Sequence, residues 1–72
     1  MNIDIEYIKQ RIEEIYRGYV DEVVCITQEY ERTYRLTVTL KGVTHRQKTF
    51  EIDKNIISVA SVINEICREL DK

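Results

Sequence analysis

Proline and tryptophan are absent from the 72 residues, and glycine occurs only at Gly18 and Gly42. With so few breakers, most of the chain is expected in regular elements joined by short turns. Cysteine is limited to Cys25 and Cys67, far apart in sequence and forming no CxxC. That spacing argues against the disulfide framework of a small secreted domain and for a reduced, cytoplasmic protein. No apolar run approaches the ~20 residues of a membrane span, so no membrane partner is expected. The opening Met1-Asn2-Ile3-Asp4 lacks the basic and apolar parts of a secretory signal.

What the chain does contain is 43% hydrophobic and 33% charged residues, the balance of a folded globule. Its length makes one domain over residues 1–72, near the lower limit for a self-sufficient core.

Helical spacing opens the chain. Ile5, Ile8, Ile12, Ile15 and Tyr19 recur at intervals of three and four, with Glu6, Lys9, Gln10, Glu13, Glu14 and Arg17 opposite. This predicts a first helix over roughly 4–17, capped by Asn2 or Asp4 and closed by a left-handed Gly18. Glu13 and Arg17 stand in the favourable order for an ion pair. A second helical stripe runs through Ile56, Val59, Ala60, Ile63, Ile66, Cys67 and Leu70, widened by Ile57 and Val62. Asp53 or Asn55 is the expected cap.

Period two occupies the middle. Tyr34, Leu36, Val38 and Leu40 alternate with polar residues from Thr33 to Lys41, a strand with one dry face. Val20–Glu29 and Thr44–Ile52 supply a strand on either side. If Leu36 and Val38 share a core with Phe50 and Ile52, opposed residues must have numbers summing to an even value. The second hairpin then needs a three-residue loop ending at a left-handed Gly42, or a bulge, rather than a two-residue turn at Lys41-Gly42 or Gly42-Val43. The same parity at the first hairpin places Ile26 opposite Leu36 and Val24 opposite Val38.

The expected fold is α+β: a two-layer α-β-β-β-α domain, its three-stranded antiparallel meander carrying both helices on one face. In element order it resembles the double-stranded RNA-binding domain. That family grips phosphates with a lysine-rich cluster at the start of its second helix, where this chain has Asp53-Lys54-Asn55-Ile56. The first helix, which touches RNA in that family, here carries Glu6, Glu13 and Glu14. The resemblance is one of topology, and no residue role is carried over.

No catalytic residue is assigned. His45 is the only histidine and has no Ser, Cys or Asp placed by sequence as its partner. Cys25 and Cys67 with one histidine fall a ligand short of a usual zinc site, so neither metal nor cofactor is expected. There is no glycine-rich phosphate loop, nucleophile elbow or HExxH, and the chain is read as not an enzyme.

Charge is segregated. From Arg32 to Phe50 the chain holds Arg32, Arg35, Lys41, Arg46 and Lys48 and no acid, so that segment carries +5 and the rest −7 against a total of −2. One reading makes the hairpin of the second and third strands a nucleic-acid surface built on these five cations, with Tyr30 and Tyr34 placed to stack on bases. The other makes it a counterweight to acidic helices. By parity Arg35 and Lys41 project to one face of the sheet, Arg46 and Lys48 to the other. The preferred reading is a non-catalytic protein-binding module or small inhibitor of a macromolecular partner, presenting Glu6, Glu13 and Glu14. It extends to a free-standing gene of a virus or mobile element, an extension that no residue carries. A homodimer using the wide stripe of the second helix is a third reading.

Overall fold

The structure, a computed structural model, describes residues 4–42, 45–56 and 58–72. Asn2 as a cap, Val43 in the second turn, the Thr44 start of the third strand and Ile57 of the second helical stripe lie outside the described residues.

Helix α1 spans Ile5–Tyr16 because Asp4 caps it: its Oδ1 accepts the N–H groups of Glu6 and Tyr7 at 3.1 and 3.2 Å. Ile8, Ile12 and Tyr16 are its buried residues, four apart on one face. Tyr19, expected on that stripe, lies past the helix and is 83% exposed. The chain leaves α1 with the N–H groups of Tyr19 and Val20 both donating to the Tyr16 carbonyl. Gly18 does not take a left-handed conformation. The expected Glu13–Arg17 pair is not among the ion pairs of the described residues. Glu6–Lys9 at 3.3 Å and Arg11–Glu14 at 3.1 Å form instead.

Strands β1 (Glu22–Glu29), β2 (Thr33–Lys41) and β3 (Arg46–Asp53) form an antiparallel sheet in the order β1-β2-β3. The β2–β3 register has the expected parity, with Leu36 opposite Phe50 and Val38 opposite Lys48. The connection is longer than three residues, because the last pair is Leu40 with Arg46, and Gly42 is not left-handed.

The β1–β2 register differs from expectation by one residue. Thr27, not Ile26, lies opposite Leu36, and Cys25, not Val24, lies opposite Val38. The cause is the turn. Tyr30 donates to the Thr33 carbonyl at 2.8 Å, leaving only Glu31 and Arg32 between them, and a two-residue turn imposes an odd sum. Both parities of β1 are apolar, Val23 and Cys25 on one side, Val24 and Ile26 on the other. The hydrophobic pattern therefore does not choose between them, and the turn does.

Helix α2 spans Val59–Leu70 and begins at Ser58, whose Oγ accepts the Ser61 N–H at 3.2 Å. Neither Asp53 nor Asn55 caps it. Asp53 Oδ1 accepts the Asn55 N–H at 2.7 Å, and Lys54 donates its N–H to the Arg32 carbonyl at 3.0 Å. Those backbone groups extend the sheet and its turn, so the helix starts later.

Both helices cover the same face: α1 packs on β1 and α2, and α2 on β3. The core beneath them is Ile8, Ile12 and Tyr16 from α1, Leu36, Val38 and Leu40 from β2, Ile52, and Ile63, Ile66 and Leu70 from α2. No helix among the described residues is long and apolar enough to cross a membrane.

Candidate interaction surfaces

The second hairpin's cations are distributed as strand parity dictates. Arg35 and Lys41 lie on the helix-free face, where Arg35 pairs with Glu51 at 3.6 Å and Lys41 with Glu22 at 3.7 Å. Arg46 and Lys48 lie on the helix side, at the end of α2. Arg46 donates from Nη1 to the Leu70 carbonyl, placing a cation at the negative end of the helix dipole. Lys48 approaches Glu69 at 3.7 Å. The Glu69 carboxyl lies below its ordinary range chiefly because Lys72 donates to it at 2.9 Å, with Lys48 adding to the effect. Arg32 alone of the five has no ion-pair partner or side-chain hydrogen bond among the described residues.

The aromatic residues of the first hairpin also have partners inside the fold. The Arg35 guanidinium sits over the Tyr30 ring at 5.1 Å, and the Lys54 ammonium over the Tyr34 ring at 5.0 Å. Lys54 also holds Glu29 at 2.7 Å.

The acidic residues of α1 differ in exposure and in partners. Glu6 and Glu14 are exposed and paired with Lys9 and Arg11 respectively. Glu13 is half-buried and acts on the Cys25 thiol of β1.

The two cysteines are free and have different surroundings. Burial, helped by the Glu13 carboxylate, pushes the Cys25 thiol up to about 11. Burial also raises Cys67, whose carbonyl accepts the Tyr16 hydroxyl at 3.3 Å. Such shifts disfavour the thiolate that nucleophilic or metal chemistry needs. His45 is exposed beside the second turn. Among the described residues, no three His, Cys, Asp or Glu side chains gather as a metal site.

One feature escaped the linear pattern. Between the C-terminal ends of α1 and α2 lies a cleft of about 510 Å³, walled by Tyr16, Tyr19, Leu40, Arg46, Leu70 and Asp71. Its walls come from both helices and two strands, so no local spacing announces it. Comparison with protein-family models, with curated proteins and with solved structures finds no match for this chain.

Proposed function

We propose that this chain is a non-catalytic protein-binding module, or a small inhibitor acting on a macromolecular partner. The observation that supports this over phosphate binding is the engagement of the hairpin cations. Arg35, Lys41 and Lys48 face carboxylates of their own chain, and Arg46 closes the end of α2. An intramolecular carboxylate competes with a phosphate for each of these cations and so reduces the gain from each phosphate contact.

Binding to duplex and single-stranded oligonucleotides, followed by fluorescence anisotropy across a salt series, tests the choice. No binding at physiological salt is expected. Salt-sensitive micromolar binding that Arg32→Gln, Arg35→Gln and Lys41→Gln together abolish overturns the proposal; this set spares the two cations that hold α2. The positive arm is affinity capture from the native host with mass spectrometry, repeated with Glu6→Lys and Glu14→Lys. A specific partner lost with those reversals supports the reading, because rim charges set encounter and partner choice.

A further inference from the structure

The two edges of the sheet are built differently. β3 carries Arg46, Lys48, Glu51 and Asp53 within its eight residues, the charged edge that discourages strand addition. β1 carries charge only at its ends, Glu22 and Glu29, and the six residues Val23 to Gln28 between them are uncharged. Ile26, on the helix-free face of this strand, is 58% exposed. Antiparallel ladders alternate the direction of their main-chain groups. Because Tyr30 donates to Thr33, the even-numbered residues of β1 turn theirs toward β2. Val23, Cys25, Thr27 and Glu29 turn their N–H and C=O groups to the free edge.

We propose that two copies of the chain associate antiparallel through β1, about a two-fold axis at Cys25, to form a continuous six-stranded sheet. Outward groups must meet outward groups, so the numbers of facing residues sum to an even value. Among such registers, centring on Cys25 opposes the residues from Val23 to Thr27 to one another and leaves only the polar Gln28 to face a charge. Val23 faces Thr27, Val24 faces Ile26, and Cys25 faces its own copy. A shift one way sets Glu22 against Ile26; a shift the other way sets Glu29 against Val23. At each end Glu22 meets Gln28, and the ladder stops there, because Asp21 gives its N–H to the Lys41 carbonyl at 2.8 Å. The Glu29 charge is already balanced by Lys54 at 2.7 Å.

Helix α1 makes the occupant a second copy rather than a foreign strand. It packs on β1, and its Lys9 and Glu13, one turn apart, both act on the Cys25 thiol. Both therefore lie near the proposed axis. A two-fold rotation there brings Lys9 of each copy, which within its own chain holds the exposed Glu6 at 3.3 Å, to the side of the other copy's Glu13, so that opposite charges approach twice. Glu13 has no ion-pair partner within the chain among the described residues. A 72-residue domain with a one-sided core is also of the size that gains most from association.

Sedimentation equilibrium from micromolar to millimolar concentration tests the pairing. The expected result is a reversible dimer. Thr27→Pro removes one outward N–H without touching the ladder to β2, a substitution suited to an edge strand, and gives a monomer with an unchanged far-ultraviolet spectrum. Should that variant unfold, the charge pair decides. Glu13→Lys weakens dimerisation roughly tenfold, and Lys9→Glu with Glu13→Lys restores it. A wild-type monomer at millimolar concentration overturns the proposal. So does a dimer that Glu13→Lys leaves intact, which places the interface elsewhere, or a double variant that fails to recover. The partner-binding reading fails separately, since its test reads capture of a foreign protein with Glu6 and Glu14 reversed and Thr27→Pro leaves both residues in place.

Discussion

The phenol of Tyr16 donates a hydrogen bond of 2.8 Å to the Asp71 carboxylate, joining the last turn of α1 to the residue just past α2. The same hydroxyl approaches the Cys67 carbonyl at 3.3 Å, so one side chain ties together the C-terminal ends of both helices. Tyr16 is itself buried, and its ring forms a wall of the cleft between them.

Removing that hydroxyl tests its contribution. Tyr16→Phe keeps the ring in the core and leaves Asp71 exposed to water. The expected loss is about 1 kcal/mol, the net worth of one such bond. For a domain of this size that lowers the melting temperature by roughly 4–8 °C. Thermal unfolding followed by circular dichroism at neutral pH measures it, and an unchanged midpoint removes the bond from the account of stability.

Alkaline pH is expected to destabilise the domain through three groups. Burial raises Tyr16, with the Asp71 hydrogen bond adding to it, raises Cys25 from 9.0 to about 11, and raises Cys67 as well. All three groups are neutral when protonated and hold their protons more tightly in the folded state. Their contribution is complete below the unfolded values and is lost as pH rises through the folded ones. Urea midpoints should therefore hold steady near neutrality and decline from about pH 9 upward, in the range of ordinary Cys and Tyr ionisation. Cys25→Ala should weaken the earlier part of the decline, and Cys25→Ala with Cys67→Ala should remove it. A flat profile through that range contradicts the assignment.

The β1 register makes a contrast between residues that look alike in sequence. Ile12 is fully buried, and Ile12→Ala should cost about 2–5 kcal/mol. Ile26→Ala, measured at a dilution where association is absent, should change stability by no more than about 0.5 kcal/mol. Leu36→Asp buries a charge without a partner and should unfold the chain. Thr37→Asp, on the helix-free face, should be mild. Equal losses from Ile12→Ala and Ile26→Ala in urea unfolding would restore the even-sum register at the first hairpin.

The cap of α2 gives a fourth test. Ser58→Ala removes the acceptor for the Ser61 N–H and should cost about 0.5–2 kcal/mol. Asn55→Ala should cost less, because only its backbone N–H takes part in the turn that Asp53 closes. Chemical denaturation of both variants beside the parent distinguishes a helix starting at Ser58 from one starting at Asn55.

What the chain alone determined was the sort of element at each place and the face each helix buries. Ile8 and Ile12, Leu36 and Val38, and Ile63 and Ile66 announce their burial by period, because period is local geometry and a single side of each element is dry. What only the tertiary structure decided was how equivalent local choices were resolved. β1 is apolar on both parities, so its register was set by the two-residue turn and the packing of α1. The start of α2 was set by competition, since the backbone of residues 53–55 was already committed to the sheet and its turn. The cleft and the Tyr16–Asp71 bond were invisible to any local pattern, because their groups lie far apart in the chain. The fate of the hairpin cations was decided in the same way: sequence placed five of them together, and the fold set a carboxylate or a helix end beside four. Periodicity reports which way a residue points, whereas ion pairs, turns and caps depend on what the rest of the chain brings to meet it.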